Sequence, residues 1–203
     1  MSRLTSEKES RLRRRGDNLT SSIYSAVIDI LQKDGYRELT FQAIARVAKT
    51  SRAVLYRRWE SMFDLVHEFV KYKFATVFDG DLIDVIEDTG SLRGDLIMLL
   101  KLHQTIYTEI GREVMNVVLF EISQNNSKVI DFGKNAALKN LAVMRRLLEF
   151  AKNRGEAVKE LSDTTLILPF NLLRLEYMFS LEVVDEKKLE KMVDEILLPV
   201  FKL

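Results

Sequence analysis

Residues Leu39 to Trp59 read LTFQAIARVAKTSRAVLYRRW, and this stretch decides the fold. Thr40 is a strong N-cap, and Phe41, Ile44, Ala45 and Ala48 then recur at helical spacing, leaving Gln42 and Arg46 on the opposite side. The pattern stops at Lys49 and Thr50, and Ser51 supplies a second N-cap. After it, Ala53, Leu55 and Trp59 offer surface to bury, while Arg52, Tyr56, Arg57 and Arg58 offer hydrogen-bond donors. The spacing predicts two short helices joined by a tight turn, the second of them cationic on its outer side. A helix presented that way fits the major groove of DNA, with its N-terminal residues at the base edges and its positive end toward phosphate.

These same residues resemble the tetracycline-repressor (TetR) family, whose pattern here runs T-x-x-x-I-A-x-x-A-G-V-S-x-x-x-L-Y-x-H-F. Thr40, Ile44, Ala45, Ser51, Leu55 and Tyr56 fall on it, and Trp59 stands at the final aromatic. Three positions depart: Lys49 replaces the turn glycine, Arg58 the histidine, and Met62 a lysine that often touches phosphate in the family. A residue other than glycine at Lys49 would sit in left-handed backbone, which is uncommon but tolerated. The resemblance extends over nearly the whole chain and implies an all-α protein. Its N-terminal part would be a three-helix helix-turn-helix DNA-binding domain, and its C-terminal part a helical ligand-binding and dimerisation domain.

Carried over residue by residue, the resemblance puts Thr40 and Tyr56 on phosphate or sugar, and Gln42, Arg52 and Ala53 on bases. Arg57 and Arg58 would strengthen the backbone grip, and Thr50 and Ser51 complete the DNA-binding set. Arginine at position 52 favours a guanine edge. The function implied is a homodimeric, ligand-responsive transcription regulator, in most members a repressor, on a pseudo-palindromic operator of double-stranded DNA. A helical sensor or assembly module that has lost specific DNA binding stays open as the alternative, on the strength of Lys49 and Met62.

Composition agrees with this and removes other classes. The chain has 203 residues, 47% hydrophobic and 30% charged, as in ordinary globular proteins. It has no cysteine, which rules out disulfides and thiolate chemistry and fits a reducing cytoplasm. No run of about 20 apolar residues is present to span a bilayer. The polar, Arg-rich start lacks the apolar core of a secretory signal. The net charge of +1 conceals a split: residues 1–60 hold 13 Lys and Arg against 7 Asp and Glu, for +6, and the remainder carries −5. The basic portion is the one with the helix-turn-helix, as a phosphate-facing surface requires.

In chain order, residues 1–17 are expected to form a basic arm, mobile in isolation. Arg11, Arg13, Arg14 and Arg15 would either reach phosphate or the minor groove or remain a solvated tail. Residues 18–62 are assigned to the DNA-binding domain, with a first helix from Leu19 to Asp34 stopped by Gly35. Residues 63–203 are assigned to effector binding and dimerisation. Ser61 caps a helix expected to reach Val77 and to connect the two domains, and Phe78 to Ser91 reads as a loop with five acidic residues. Further helices are expected over Leu92–Ile110, Arg112–Asn125, Ser127–Arg154, Asp163–Leu181 and Asp185–Val200, with Pro169 kinking or interrupting the fourth.

The last of these carries the clearest apolar stripe: Leu189, Met192, Val193, Ile196, Leu197 and Val200. In the family the final two helices pair with those of a second subunit, so the resemblance makes this stripe the dimer interface.

Catalysis finds no support. His67 and His103 are 36 residues apart and outside any metal-ligand spacing, and Asp64 with His67 is one half-site without a second. Nucleophile elbows, phosphate loops and dinucleotide fingerprints are missing, so the chain reads as no enzyme, with neither cofactor nor metal. An effector pocket is a better expectation. Met98, His103, Tyr107, Met115, Phe120, Asn171, Arg174, Tyr177 and Met178 could line one between helices, although each alone is more often core. Arg174 stands out, because a buried guanidinium needs a carboxylate from the protein or an anionic ligand.

Overall fold

The structure, a computed structural model, describes residues 2–124, 126–180 and 183–203, with side chains from Asn18 onward. The chain divides into two compact units, Met1–Phe69 and Val70–Leu203. Among the described residues all regular structure is helical, apart from one isolated antiparallel pairing of Val158 with Lys202.

In the first unit, α1 spans Ser2–Lys33, α2 Phe41–Val47 and α3 Arg52–Tyr56, and α4 starts at Met62. The segment expected to be a separate arm is therefore, from Ser2 on, the opening of α1. Its charges lie in an alternating series that favours helix without an apolar stripe. The arginine side chains at 11 and 13–15 lie outside the described residues. Gly35 ends α1 with φ of 80° and an amide bonded to the Ile30 carbonyl. Ile23, Val27, Ile30 and Leu31 from α1 meet Phe41, Ile44, Leu55, Trp59, Phe63, Val66 and Phe69 in one buried core. Ser61 starts α4 as expected: its hydroxyl accepts from the Asp64 amide at 3.2 Å, and Asp64 accepts from the Ser61 amide at 3.0 Å.

α4 runs Met62–Phe78, and the division between the units falls inside it. The acidic stretch after it is not all loop. Asp81 and Asp84 form a reciprocal cap on the four-residue α5, Leu82–Val85, and Leu82 is buried. A single turn is too short to show a helical period in sequence, which is why it reads as loop.

α6, Leu92–Ile110, is the centre of the second unit. Leu92, Leu96, Leu99, Leu100 and Ile106 on it are all but inaccessible. Each such side chain contributes about 1.5–3 kcal/mol of burial. Around it pack α7 (Arg112–Ser123), α8 (Ser127–Asn153), α10 (Leu168–Phe179) and α11 (Glu186–Lys191). Pro169 interrupts rather than kinks: a single turn α9, Asp163–Leu166, ends at Ile167 and α10 restarts with the proline in its first turn, where no amide is needed.

The last helix is also less regular than its stripe suggests. Met192–Leu197 has a π-helical pitch between α11 and a short α12, Leu198–Phe201. Pro199 cannot donate to the preceding turn and crowds it, and a wider turn relieves both conflicts. The chain then pairs back, with the Lys159 amide on the Phe201 carbonyl and the Leu203 amide on that of Ala157, each 3.0 Å.

One polar network fixes the start of α6. Asp95, fully buried, accepts from the amide and hydroxyl of Thr89 at 2.9 and 2.7 Å and from Arg154 at 2.7 Å. Arg154 also holds Asp88 and Glu156, and Glu156 receives the Leu92 amide at 2.9 Å. Burial alone would raise Glu156, but its bonds from Arg154 and Leu92 and the charges of Arg154 and Lys202 bring it below the usual carboxylate range.

Candidate nucleic-acid interface and effector site

The two caps predicted from sequence are formed. The Thr40 hydroxyl accepts from the Ala43 amide at 3.1 Å and that of Ser51 from the Val54 amide at 3.3 Å. Between them Lys49 has φ of 52°, left-handed backbone on a residue with a side chain. The Thr50 amide reaches back to the Ala45 carbonyl at 2.9 Å and the Lys49 amide to that of Arg46 at 3.4 Å, so α2 ends in a Schellman turn without its glycine. The turn survives the substitution at the cost of local strain, about 1 kcal/mol.

This geometry separates two faces. Leu55 and Ile44 are fully buried, while Gln42, Ser51, Arg52, Ala53, Tyr56 and Arg57 are exposed and Thr50 is half-buried. The Tyr56 ring sets its edge on Phe41, centroids 4.7 Å apart, and remains 60% exposed. Arg58 differs from the others. Its guanidinium donates to the Thr20 hydroxyl at 2.8 Å and lies 5.8 Å from the Trp59 ring, so it is engaged within the unit, bracing α1 against the end of α3.

Sequence reasoning missed Glu68. Its carboxylate accepts from the Trp59 indole at 2.7 Å and from the Tyr24 hydroxyl at 3.3 Å. The available signal was one acid beside an apolar stripe that also had to satisfy a buried indole N–H.

The effector candidates separate into a cluster and outliers. His103 and Tyr107 on α6 meet Phe170 and Tyr177 on α10: His103 packs on Tyr107 at 5.0 Å and on Phe170 at 4.8 Å, and Tyr107 on Tyr177 at 5.5 Å. Arg174 donates from Nε to the Tyr107 hydroxyl at 3.4 Å and from Nη1 to Asn171 at 3.5 Å. It is half-buried, not buried, and Glu176 pairs with Lys188 instead. Arg112, not among the candidates, joins the cluster with its guanidinium 5.8 Å from the Tyr177 ring. Phe120 is 48% exposed on the outer side of α7, so it lines no interior site, and Met115 is half-buried on the same helix. Burial, with the Arg174 charge behind it, lowers His103 to about 3, so the ring is neutral at physiological pH. Its Nδ1 has no hydrogen-bond partner.

The stripe expected at the dimer interface is largely consumed inside the chain. Leu189, Met192, Val193 and Leu197 are at most 6% exposed, packed in the core of the second unit, and Val200 is half-buried. Of the six, Ile196 alone faces outward. The π-helical pitch adds to this by changing which residues share a face from Met192 on.

Comparison with known proteins accounts for this arrangement. The chain matches the model of bacterial regulatory proteins of the tetR family over residues 23–69, and that of the tetracyclin repressor-like C-terminal domain over residues 86–196. It is 28% identical to an uncharacterized HTH-type transcriptional regulator of Mycobacterium tuberculosis, over 88% of this chain and 86% of that one. It is 25% identical to the DNA-binding transcriptional repressor TetR of Mycobacteroides abscessus, over 93% and 96% of the two chains. Its fold is that of a TetR transcription regulator from Haloarcula marismortui, with a TM-score of 0.69 at 15% identity over 92% of this chain and all of the other. Salmonella enterica GusR superposes with a TM-score of 0.64 at 13% identity, over 90% and 94%. The chain belongs to the TetR family of helix-turn-helix transcriptional regulators, which are not enzymes.

Proposed function

We propose that the protein acts as a homodimeric, ligand-responsive repressor whose α3 reads a pseudo-palindromic operator. The observation that carries the DNA-reading part is the two-faced α3: Leu55 is sealed in the core while Arg52, Ala53, Tyr56 and Arg57 stand in solvent beside Gln42 of α2. An intact turn at Lys49 favours this over a sensor that has lost its reader. In this reading residues 18–62 read DNA, and residues 63–203 bind the effector and dimerise, in the cytoplasm. α4 carries the effector's influence by favouring one of two head spacings. Reading heads related by a two-fold axis call for half-sites about one turn apart, ~34–36 Å, or more in a wide dimer.

Footprinting on genomic fragments, with excess nonspecific competitor at physiological salt, tests the proposal. A protected site with two-fold symmetry is expected, and binding that competitor abolishes would defeat it. On that site Arg52→Ala should cost about 1–3 kcal/mol and relax preference at one base pair, whereas Arg57→Ala should weaken all DNA alike. Equal loss on every sequence for Arg52→Ala would remove it from base reading.

A further inference from the structure

The cluster joining α6, α7 and α10 is rich in donors and short of acceptors. Arg112 Nε is buried with no partner. Among the described residues neither Arg112 nor Arg174 pairs with a carboxylate, and the two Arg174 bonds, at 3.4 and 3.5 Å, lie at the limit of hydrogen bonding. The Tyr107 oxygen accepts from Arg174, but its own O–H has no acceptor among the described residues, and the phenol keeps its proton: burial raises it, outweighing the opposing Arg174 charge. Glu113 is the acid that acts on this region, opposing Arg112 at Tyr177, so two guanidinium charges stand against one carboxylate. Beneath them lies an aromatic floor, with Tyr107 4% and Phe170 1% exposed and Tyr177 tilted on Tyr107.

Buried donors without acceptors are costly, and clustered cations repel, so such an arrangement is completed by an anion. A bare inorganic anion would use the charges and waste the floor. We propose that Arg112 and Arg174, with the Tyr107 hydroxyl, bind a small organic carboxylate whose apolar body lies on the Tyr107 and Tyr177 rings. A carboxylate accepts from a guanidinium fork and from a phenol together, and a flat or acyl body gains from ring contact. This inference rests on the ligand-responsive reading and gives the effector a chemical class.

Calorimetric titration of the full-length protein tests it with benzoate, 2-naphthoate, octanoate and dodecanoate, their primary amides, and inorganic phosphate. At least one of these acids is expected to bind once per chain, with its amide and phosphate weaker by about tenfold or more, a gap of ~1.4 kcal/mol. Arg174→Gln and Arg112→Gln should each weaken that acid about tenfold at an unchanged melting temperature, and Arg174→Lys should recover part, keeping the charge but not the fork. Failure of all four acids to bind, an amide equal to its acid, or unimpaired binding in both glutamine variants would overturn the inference. Operator affinity measured with the same compounds separates the two levels. An acid that binds through both arginines yet leaves operator affinity unchanged would sink the ligand response and leave the site. An amide that releases operator while the acids do not would sink the site and leave the response.

Discussion

The Glu68 carboxylate holds the indole N–H of Trp59 at 2.7 Å, fastening the segment just past α3 to α4. Trp59 is 2% exposed, so without Glu68 its N–H would be buried with no acceptor. The second carboxylate oxygen takes the Tyr24 hydroxyl, bringing α1 into the same fastening. The set of α3 in its unit thus depends on one acid.

Glu68→Ala should destabilise the protein by about 1–2 kcal/mol, the penalty for an orphaned buried donor. Trp59 is the only tryptophan, so its emission reads the site directly and should shift to the red. Glu68→Gln, which keeps an acceptor oxygen, should fall between wild type and alanine. Unchanged emission and melting in Glu68→Ala would show the bond to be incidental.

Lys49 offers the opposite sign. Glycine is free to adopt its φ of 52°, so Lys49→Gly should stabilise by about 1 kcal/mol. The comparison within the molecule is Gly155, which ends α8 in the same turn at φ of 80°. Melting that stays level or falls in Lys49→Gly would mean that the lysine side chain offsets its own strain.

Acid should weaken the second unit through His103. The ring ordinarily titrates at 6.5 and is lowered to about 3 in the folded chain, so below 6.5 the unfolded chain takes up a proton that the native one refuses. Stability is complete above pH 6.5 and falls by up to ~1.4 kcal/mol per unit below it, about 2 kcal/mol by pH 5. Glu156, held below the usual carboxylate range, keeps its contribution until more acidic pH. Denaturant melts at pH 7 and 5 should show the loss, and His103→Leu should flatten it; an equal slope in that variant would assign the loss elsewhere.

If the exposed apolar side chains of the C-terminal helices form the dimer contact, Phe179→Asp and Ile196→Asp should give folded monomers. Phe179 is 79% and Ile196 40% exposed, whereas Leu197, fully buried, should unfold the chain when changed to Asp. Sedimentation with circular dichroism distinguishes these outcomes, and an intact Phe179→Asp dimer would move the interface off this face.

The sequence is most legible where local chemistry decides. Ser91 caps α6 and Gly111 stops it, and both bounds are set by those residues. The same holds for the Thr40 and Ser51 caps and for the left-handed Lys49. Periodicity showed which residues of the last helix share a stripe but not what covers it, because Leu189 or Leu197 is equally apolar against its own chain or a second copy. It also could not foresee the widened turn before Pro199, which changes the face on which Ile196 falls. The pairing of Arg58 with Thr20 and of Glu68 with Trp59 joins residues far enough apart in sequence that no local pattern signals them. Arg112 escaped notice because it opens a helix, where a cation is ordinary until Tyr177 is seen beside it.

The π-helical stretch from Met192 to Leu197 also bears on how the gene can vary. A widened turn accommodates one residue more than an α-helical turn of the same rise, so this is the place in the chain where a single-codon deletion shortens a helix without rotating the downstream residues by a full ~100°. The same deletion within α6 would turn Leu99, Leu100 and Ile106 out of the core. Tolerance to loss of a codon is therefore concentrated just before Pro199, and there it depends on the proline also being replaced, since a restored α-helical turn would again meet its ring.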